Sequence, residues 1–535
     1  MIFVYDNADV YSPVFCRWIP SSFSVEDGKI QLIGKPGTIK GGKVIDLKGK
    51  KVIPGLIDAH IHIESTLLTP SEFGKIAVLH GVTSVIADPH EIGNAAGTSG
   101  IDFMIEDAKN SPSDIFFMIP SCVPAVNTDI GFAVIDSKQI AEYKNNPSVI
   151  GLGEMMNIPG VLSDDPEVCA KLKLFSHADG HCPKLSGDDL CRYIAHGIKT
   201  DHECSSADEA EEKLERGMYV FLREGGAAKN VSELAEAVTP CSASHCCFAT
   251  DDKHADEILK EGSVDNCIRT ALKSGMPLEL ALRCATLSVA ECFNLNDRGI
   301  IAPGKIADFC ILSDSDEFEI AETYKNGVLI TPESFNKASI TKLNSPEFKC
   351  KIPTAEDLVI PDGNLRVIGI IEGEIITENL TMKKDEPGLS KIVCADRYRA
   401  EGFGIGLVKG LGIKRGAIAV SIAHDAHNII AAGNTDEEII AAIDNVCSAG
   451  GGFCVVCDGN TAVLPLPYGG IMTPEPYEKL CENLKILNSA LEKTGAVKNA
   501  FMHLSFLSLT VIPHLKITPR GLFDADSFCD VSLKI

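Results

Sequence analysis

Pro54-Gly55-Leu56-Ile57-Asp58-Ala59-His60-Ile61-His62 is the stretch on which the reading of this chain turns. Residues 52–57 are mostly apolar and broken by Pro-Gly, which reads as a turn feeding a buried strand. His60 and His62 stand two apart, and in a strand that spacing turns both imidazoles to one face. Both can then reach one cation, and imidazole is the commonest metal ligand. A turn at Glu64-Ser65-Thr66 follows, and Thr69-Pro70-Ser71-Glu72 opens a helix predicted over 70–80. This has the form of the first unit of a (β/α) barrel, with a metal pair at the C-terminal end of its strand. A strand carrying two histidines on a polar face would look the same, so the pair is weighed with its surroundings.

Residues 54–299 alternate short apolar strands with helical patterns, the sign of βαβ units and a parallel sheet. Strands are predicted at 53–61, 84–87, 115–119, 150–155, 171–175, 200–201, 218–222 and 246–250, enough to close an α/β, TIM-like (β/α)8 barrel. Residues 1–53 read as short strands and turns too thin to bury a core alone. Residues 300–345 return to that chemistry, with Asn326-Gly327 between apolar runs as a hairpin signal. The two segments are expected to join as a discontinuous β domain, 1–53 plus 300–345. A separate C-terminal α+β domain is expected over 350–535, with a strand at 416–422, a helix at 436–447 and a strand at 453–457.

At 535 residues, 45% hydrophobic and 23% charged, the composition is that of a soluble, multi-domain globular protein. A net charge of −25 argues against a nucleic-acid partner, since phosphate binding needs a basic surface, but leaves a nucleobase substrate open. Met1-Ile2-Phe3-Val4-Tyr5-Asp6 lacks a basic n-region, and no apolar run reaches the roughly 18 residues of a membrane span. The 20 scattered cysteines suggest reduced thiols, hence a cytoplasmic location with no membrane partner. Cys454-Val455-Val456-Cys457 has no second pair and reads as structural.

Acids and histidines recur at the ends of the predicted strands: Asp88-Pro89-His90-Glu91, Glu154, His177 and His181, Asp201-His202-Glu203, Arg223-Glu224, and Asp251-Asp252. Any one is ordinary; their joint placement at one rim is not. Two imidazoles from the first strand, two from the fifth and sixth and an aspartate from the eighth make an N/O site suited to Mn, Fe or Zn. Glu154 can supply a carboxylate between two cations, whose bridging hydroxide is a strong nucleophile. Asp251 would accept its proton and pass it on. Strand alternation lets only one of Asp251 and Asp252 face inward, and spacing alone does not choose between them, nor between His177 and His181.

These motifs together, with Ile301-Ala302-Pro303-Gly304-Lys305-Ile306-Ala307-Asp308, resemble the amidohydrolase superfamily and, within it, the adenine deaminase family of bacteria and archaea. Asp58-Ala59-His60-Ile61-His62, Asp88-Pro89-His90-Glu91, Gly180-His181-Cys182-Pro183, Asp201-His202-Glu203-Cys204, Arg223-Glu224-Gly225 and Thr250-Asp251-Asp252 carry the likeness in order. Ser421-Ile422-Ala423-His424-Asp425-Ala426-His427 and Phe506-Leu507-Ser508-Leu509 extend it into the last domain. The resemblance implies hydrolysis of adenine to hypoxanthine and ammonia, in purine salvage, at a binuclear Mn²⁺ or Fe²⁺ centre, with Zn²⁺ as a further option. It implies ligand roles for His60, His62, Glu154, His181, His202 and Asp251. Many relatives carry a carbamylated lysine on the fourth strand where this chain has Glu154, which fits adenine deaminase and disfavours hydantoinase-like relatives. Gly225-Gly226 replaces the usual Gly-Ser, so no hydroxyl role is assigned there.

On that reading hydroxide attacks C6, Asp251 moves its proton to the leaving amine, and Glu91 and His90 donate the N1 proton or order its donor. His424 and His427 are expected to support the site or touch it as a lid rather than form a third metal site. The only expected ligands are adenine and water, in a homodimer or higher homo-oligomer. Another binuclear amidohydrolase, acting on a cyclic amide or a different purine, is the alternative. A zinc nucleobase deaminase is rejected, because its Pro-Cys-x-x-Cys half is missing. A catalytically dead scaffold would have lost ligands, and none is missing.

Overall fold

In the computed structural model the residues described are 1–126, 128–226, 228–335, 341–372 and 374–535. Eight parallel strands form a closed ring: Leu56–Ile61, Val82–Ala87, Asp114–Ile119, Val149–Met155, Ala178–Gly180, Thr200–Asp201, Tyr219–Arg223 and Cys246–Ala249. Single bridges between Ala178 and Ile198 and between Ile61 and Asp251 complete the ring. Helices follow the strands, beginning with Pro70–Leu79, where Pro70 needs no N–H partner at the first helical position. The lower barrel is filled by Ile57, Ala59, Ile86, Met118, Phe221, Cys247 and Ala249, an apolar plug beneath the rim.

Two predicted strands need correction. The run 53–61 is two strands divided at Gly55, because Lys51–Pro54 leaves the barrel to pair with Phe3–Ser12 and Phe309–Asp314. A Cβ at Gly55 would lie 2.3 Å from Thr83 Oγ1, so the crossing needs glycine. The run 171–175 begins inside a helix, Pro166–Leu172, capped by Asp165, whose carboxylate accepts from Glu167 N (2.9 Å) and Val168 N (3.1 Å). The fifth strand is instead Ala178–Gly180, three residues long and without an apolar run to announce it.

Strands from both sides of the barrel segment share one sheet, in the order Val328–Leu329, Glu319–Lys325, Phe309–Asp314, Lys51–Pro54, Phe3–Ser12, Arg17–Glu26, Lys29–Gly34. Its core is an aromatic cluster of Tyr5, Phe23, Phe309 and Tyr324, with ring centroids 4.4–5.5 Å apart. Beyond residue 345, a largely antiparallel eight-stranded sheet packs on the helix Asp436–Ser448. Cys454 and Cys457 lie on its strand Gly452–Cys457, an odd spacing that sends them to opposite faces, and both are free thiols. This region sits over the C-terminal mouth of the barrel. Thr473 N donates to Leu67 O (2.9 Å), Asn428 Nδ2 to Ile130 O (2.7 Å), and Asn499 Nδ2 to Gly226 O (3.2 Å).

Candidate active site

Glu154, at the end of the fourth strand, is the centre of the rim. Its Oε1 lies 3.2 Å from His62 Nε2 and 3.9 Å from His60 Nε2. Its Oε2 lies 2.8 Å from His181 Nδ1 and 3.3 Å from His202 Nε2. The carboxylate is thus divided between two imidazole pairs. Asp88 fixes it from behind by accepting from Glu154 N at 2.9 Å. A Cβ at Gly153 would come within 2.2 Å of that Asp88 oxygen, so the approach requires glycine there. Burial would raise the Glu154 carboxyl, but His202, His181 and His62 outweigh it and hold Glu154 well below the usual carboxylate range.

Asp251 Oδ1 stands 3.1 Å from His62 Nε2 and 3.6 Å from His60 Nε2, and its Oδ2 accepts from Arg223 Nη1 at 2.7 Å. Arg223 also forks onto Glu203. Asp252 does not turn away as strand alternation predicts. The strand ends at Ala249 and Asp251 adopts a left-handed φ of 56°, which breaks the alternation, so both aspartates line the cavity. Ser65 Oγ donates to Asp252. His177 is separated from the rim: it pairs with Asp179 (3.0 Å) and lies against Phe293 in the barrel interior, while His181 meets Glu154.

His90 faces Glu154 (Nδ1 to Oε1, 3.4 Å) and Glu91 (Nε2 to Oε1, 3.4 Å). Glu91 is gripped from the C-terminal domain, by His424 Nδ1 at 2.7 Å and by His427 Nε2. Burial would raise its carboxyl, but those two imidazoles hold it well below the ordinary value. An acid kept ionised this way is a poor proton donor. The cavity over these groups has an apolar wall that includes Met156, Ile375, Phe506 and Leu509. Arg223, Glu203 and Asp425 were present in the sequence motifs without a role; only the fold shows that they reach this cavity.

Residues 51–330 match the amidohydrolase family, and residues 371–529 match the adenine deaminase C-terminal domain. The adenine deaminase of Methanoregula boonei is 46% identical, over 99% of this chain and 95% of that protein. That of Methanoculleus marisnigri is also 46% identical, over 96% and 99%, and that of Halalkalibacterium halodurans 39%, over 96% and 92%. The chain belongs to the adenine deaminase family of amidohydrolases. Among solved structures, one of an adenine deaminase is 17% identical with a TM-score of 0.47, covering 61% of this chain and 99% of that one.

Amidohydrolases imply a divalent metal, and the donor set fits one. His60, His62 and Asp251 bring ligand atoms within 4.8 Å of one another, as do His60, Glu154 and His202. His62 Nδ1 donates to Asp88 O (2.9 Å), which leaves Nε2 free to ligate a cation. Burial, with His202 and His62 beside it, holds His60 well below the ordinary imidazole value and so neutral, the form that ligates. Burial alone would lower His62, His181 and His202 too, yet nearby Glu154, Asp251 and Glu203 pull all three up, His202 to about 9. Anions that draw protons onto neighbouring imidazoles make a site that a divalent cation can take by displacing those protons. The adjacent thiols stay out of it, since Cys182 and Cys204 both turn to Asp201 (3.2 and 3.3 Å).

Proposed function

We propose that this enzyme hydrolyses adenine to hypoxanthine and ammonia, with His60, His62, Glu154, His181, His202 and Asp251 holding two divalent cations. The observation that carries this is the division of the two Glu154 oxygens between a His60/His62 pair and a His181/His202 pair. An oxygen and nitrogen shell without thiolate favours Mn²⁺ or Fe²⁺, with Zn²⁺ able to compete. When bound, such cations lower the pKa of water and make hydroxide available near neutral pH.

Asp251 is the group that takes the proton of the attacking hydroxide as the C6 carbonyl forms. Burial would raise its carboxyl, but Arg223 and His62 hold it far down, so it begins ionised, with Oδ1 on the metal-ligand side. It returns the proton to the exocyclic amine, which leaves as ammonia. N1 of the base must gain a proton as C6 becomes tetrahedral, and His90 supplies it. Burial would lower His90, but Asp425, Asp88 and Glu91 raise it well above the ordinary value. Glu91 orders that donor, and His424 and His427 hold Glu91. The apolar wall of Met156, Ile375, Phe506 and Leu509 keeps water from competing positions around a flat base. The same reading carries cytoplasmic purine salvage and a homo-oligomeric state.

The test is ammonia release from adenine, adenosine, guanine and a hydantoin by protein loaded with Mn²⁺. Adenine is expected to be the substrate, and release from the hydantoin but not adenine would overturn the reading. Glu154→Gln is expected to abolish deamination and lower bound metal; full activity with two metals retained would remove its bridging role.

A further inference from the structure

Lys516, on the strand Leu515–Thr518, is fully buried. Its Nζ donates to two backbone carbonyls, those of Ile375 (3.1 Å) and Phe506 (3.4 Å), and among the described residues no carboxylate pairs with it. Lys213 and Lys253, equally buried, do have carboxylate partners: Asp201 at 2.9 Å and Glu209 at 2.8 Å for Lys213, and Glu261 at 3.7 Å for Lys253. Burial without such a partner pulls the Lys516 amine down to about 7. A methionine of similar length would carry no such cost, so a lysine here calls for a role.

Its two acceptors share a location. Ile375 and Phe506 both line the cavity over the metal-ligand cluster. The Phe506 carbonyl also accepts from Leu509 N (3.3 Å), and Leu509 lines the same cavity. Backbone bonds from the surrounding segment hold the same pieces: Thr377 N to Pro513 O (3.0 Å) and Ile517 N to Leu507 O (2.9 Å). On its cavity side the Phe506 ring stacks on His424, centroids 4.5 Å apart and planes within 11°, and His424 in turn grips Glu91.

We propose that Lys516 is a positioning residue for the purine ring: it pins the Ile375 and Phe506 backbones to one point and thereby sets the height of the apolar roof above the metal-ligand cluster. This rests on the adenine deamination reading. A base held between this roof and the metal-ligand cluster would meet the roof on its unreacting face, so the roof contacts would be the same in ground and transition states and act on KM rather than kcat.

The experiment compares Mn²⁺-loaded wild type, Lys516→Met, Ile375→Ala and the double variant in steady-state adenine deamination, with metal content measured for each. Lys516→Met is expected to raise KM about tenfold or more while kcat stays within about threefold and bound metal is unchanged. Ile375→Ala is expected to raise KM as well, and the double variant to show less than the sum, because one residue acts through the other. A KM within about twofold of wild type in Lys516→Met, or a fall in kcat and metal together at constant KM, overturns the proposal. If Lys516→Met does not fold, Ile375→Ala decides, and an unmoved KM there overturns it equally. Wild-type holoenzyme that releases no ammonia from adenine sinks the deamination reading itself, a result distinct from normal wild-type turnover with an unmoved KM in the variants.

Discussion

A lysine amine that titrates at about 7 inside the fold and near 10.5 in the unfolded chain binds fewer protons folded than unfolded between those two values. Stability therefore rises with pH across that window, and below pH 7 the folded state carries the whole cost of burying an ammonium. Lys516→Met removes that dependence. Its difference from wild type is expected to be largest at pH 6, in favour of the variant by up to about 5 kcal/mol, and to vanish by about pH 10.5. Thermal melts of both proteins at pH 6, 8 and 10 check this, and parallel pH profiles would refute it. Taken with the expected rise in KM, the residue is one where function and stability pull in opposite directions. The place of Glu91 in Asp88-Pro89-His90-Glu91 marked it as chemical, but only the approach of His424 at 2.7 Å and of His427 shows what holds its carboxyl below the ordinary value.

Strand eight is clasped to strand one by Asp58. Its Oδ1 accepts from the backbone N of His60 (3.3 Å) and of Thr250 (3.1 Å), and its Oδ2 accepts from Thr250 Oγ1 (2.5 Å). These bonds join the element bearing His60 and His62 to the one leading to Asp251. Asp58→Ala leaves two buried N–H groups without acceptors and is expected to cost about 2–4 kcal/mol and to weaken metal binding roughly 10–100-fold. Asp58→Asn keeps an acceptor for both N–H groups, and the Thr250 hydroxyl can reverse to accept from the new amide, so that variant is expected to stay close to wild type. Melting and metal titration of the pair check this; equal losses in both would show that charge rather than hydrogen bonding matters. The sequence is readable where pattern and pairing coincide. Val82–Ala87, Val149–Met155 and Cys246–Ala249 announce themselves as apolar runs, and each of their ends delivers a polar group. Ala178–Gly180 does not, since three residues carry no period, while Leu172, Leu174 and Phe175 just upstream supply an apolar run that belongs to a helix end. Asp251 and Asp252 could not be separated by alternation because the left-handed backbone at Asp251 ends the strand geometry on which alternation depends.

Across the whole molecule the candidate ligand cluster gathers side chains from the ends of strands one, four, five, six and eight, and the C-terminal region closes over it through His424 and Phe506. That closure was the least legible part of the sequence. His424-Asp425-Ala426-His427 marks a polar turn, but its partner Glu91 lies 333 positions away, and no local pattern encodes a contact of that span. Cations held at such a centre tie five strands of one ring together. They bind the folded chain and not the unfolded one, whose ligands are scattered from residue 60 to residue 251. At a free metal concentration about 1,000 times the dissociation constant the expected stabilisation is about 4 kcal/mol. Chelation should therefore lower the melting temperature of wild type by several degrees, and Mn²⁺ should restore it. Glu154→Gln leaves the imidazoles in place but weakens the carboxylate that both pairs share, so its melting temperature is expected to respond little to either treatment. Calorimetry of the two proteins with chelator and with Mn²⁺ measures the difference. A wild-type transition that does not move with metal would mean that the cluster is held together by its own hydrogen bonds, among them Asp88 to Glu154 and Asp58 to Thr250, and that cations add chemistry without adding stability.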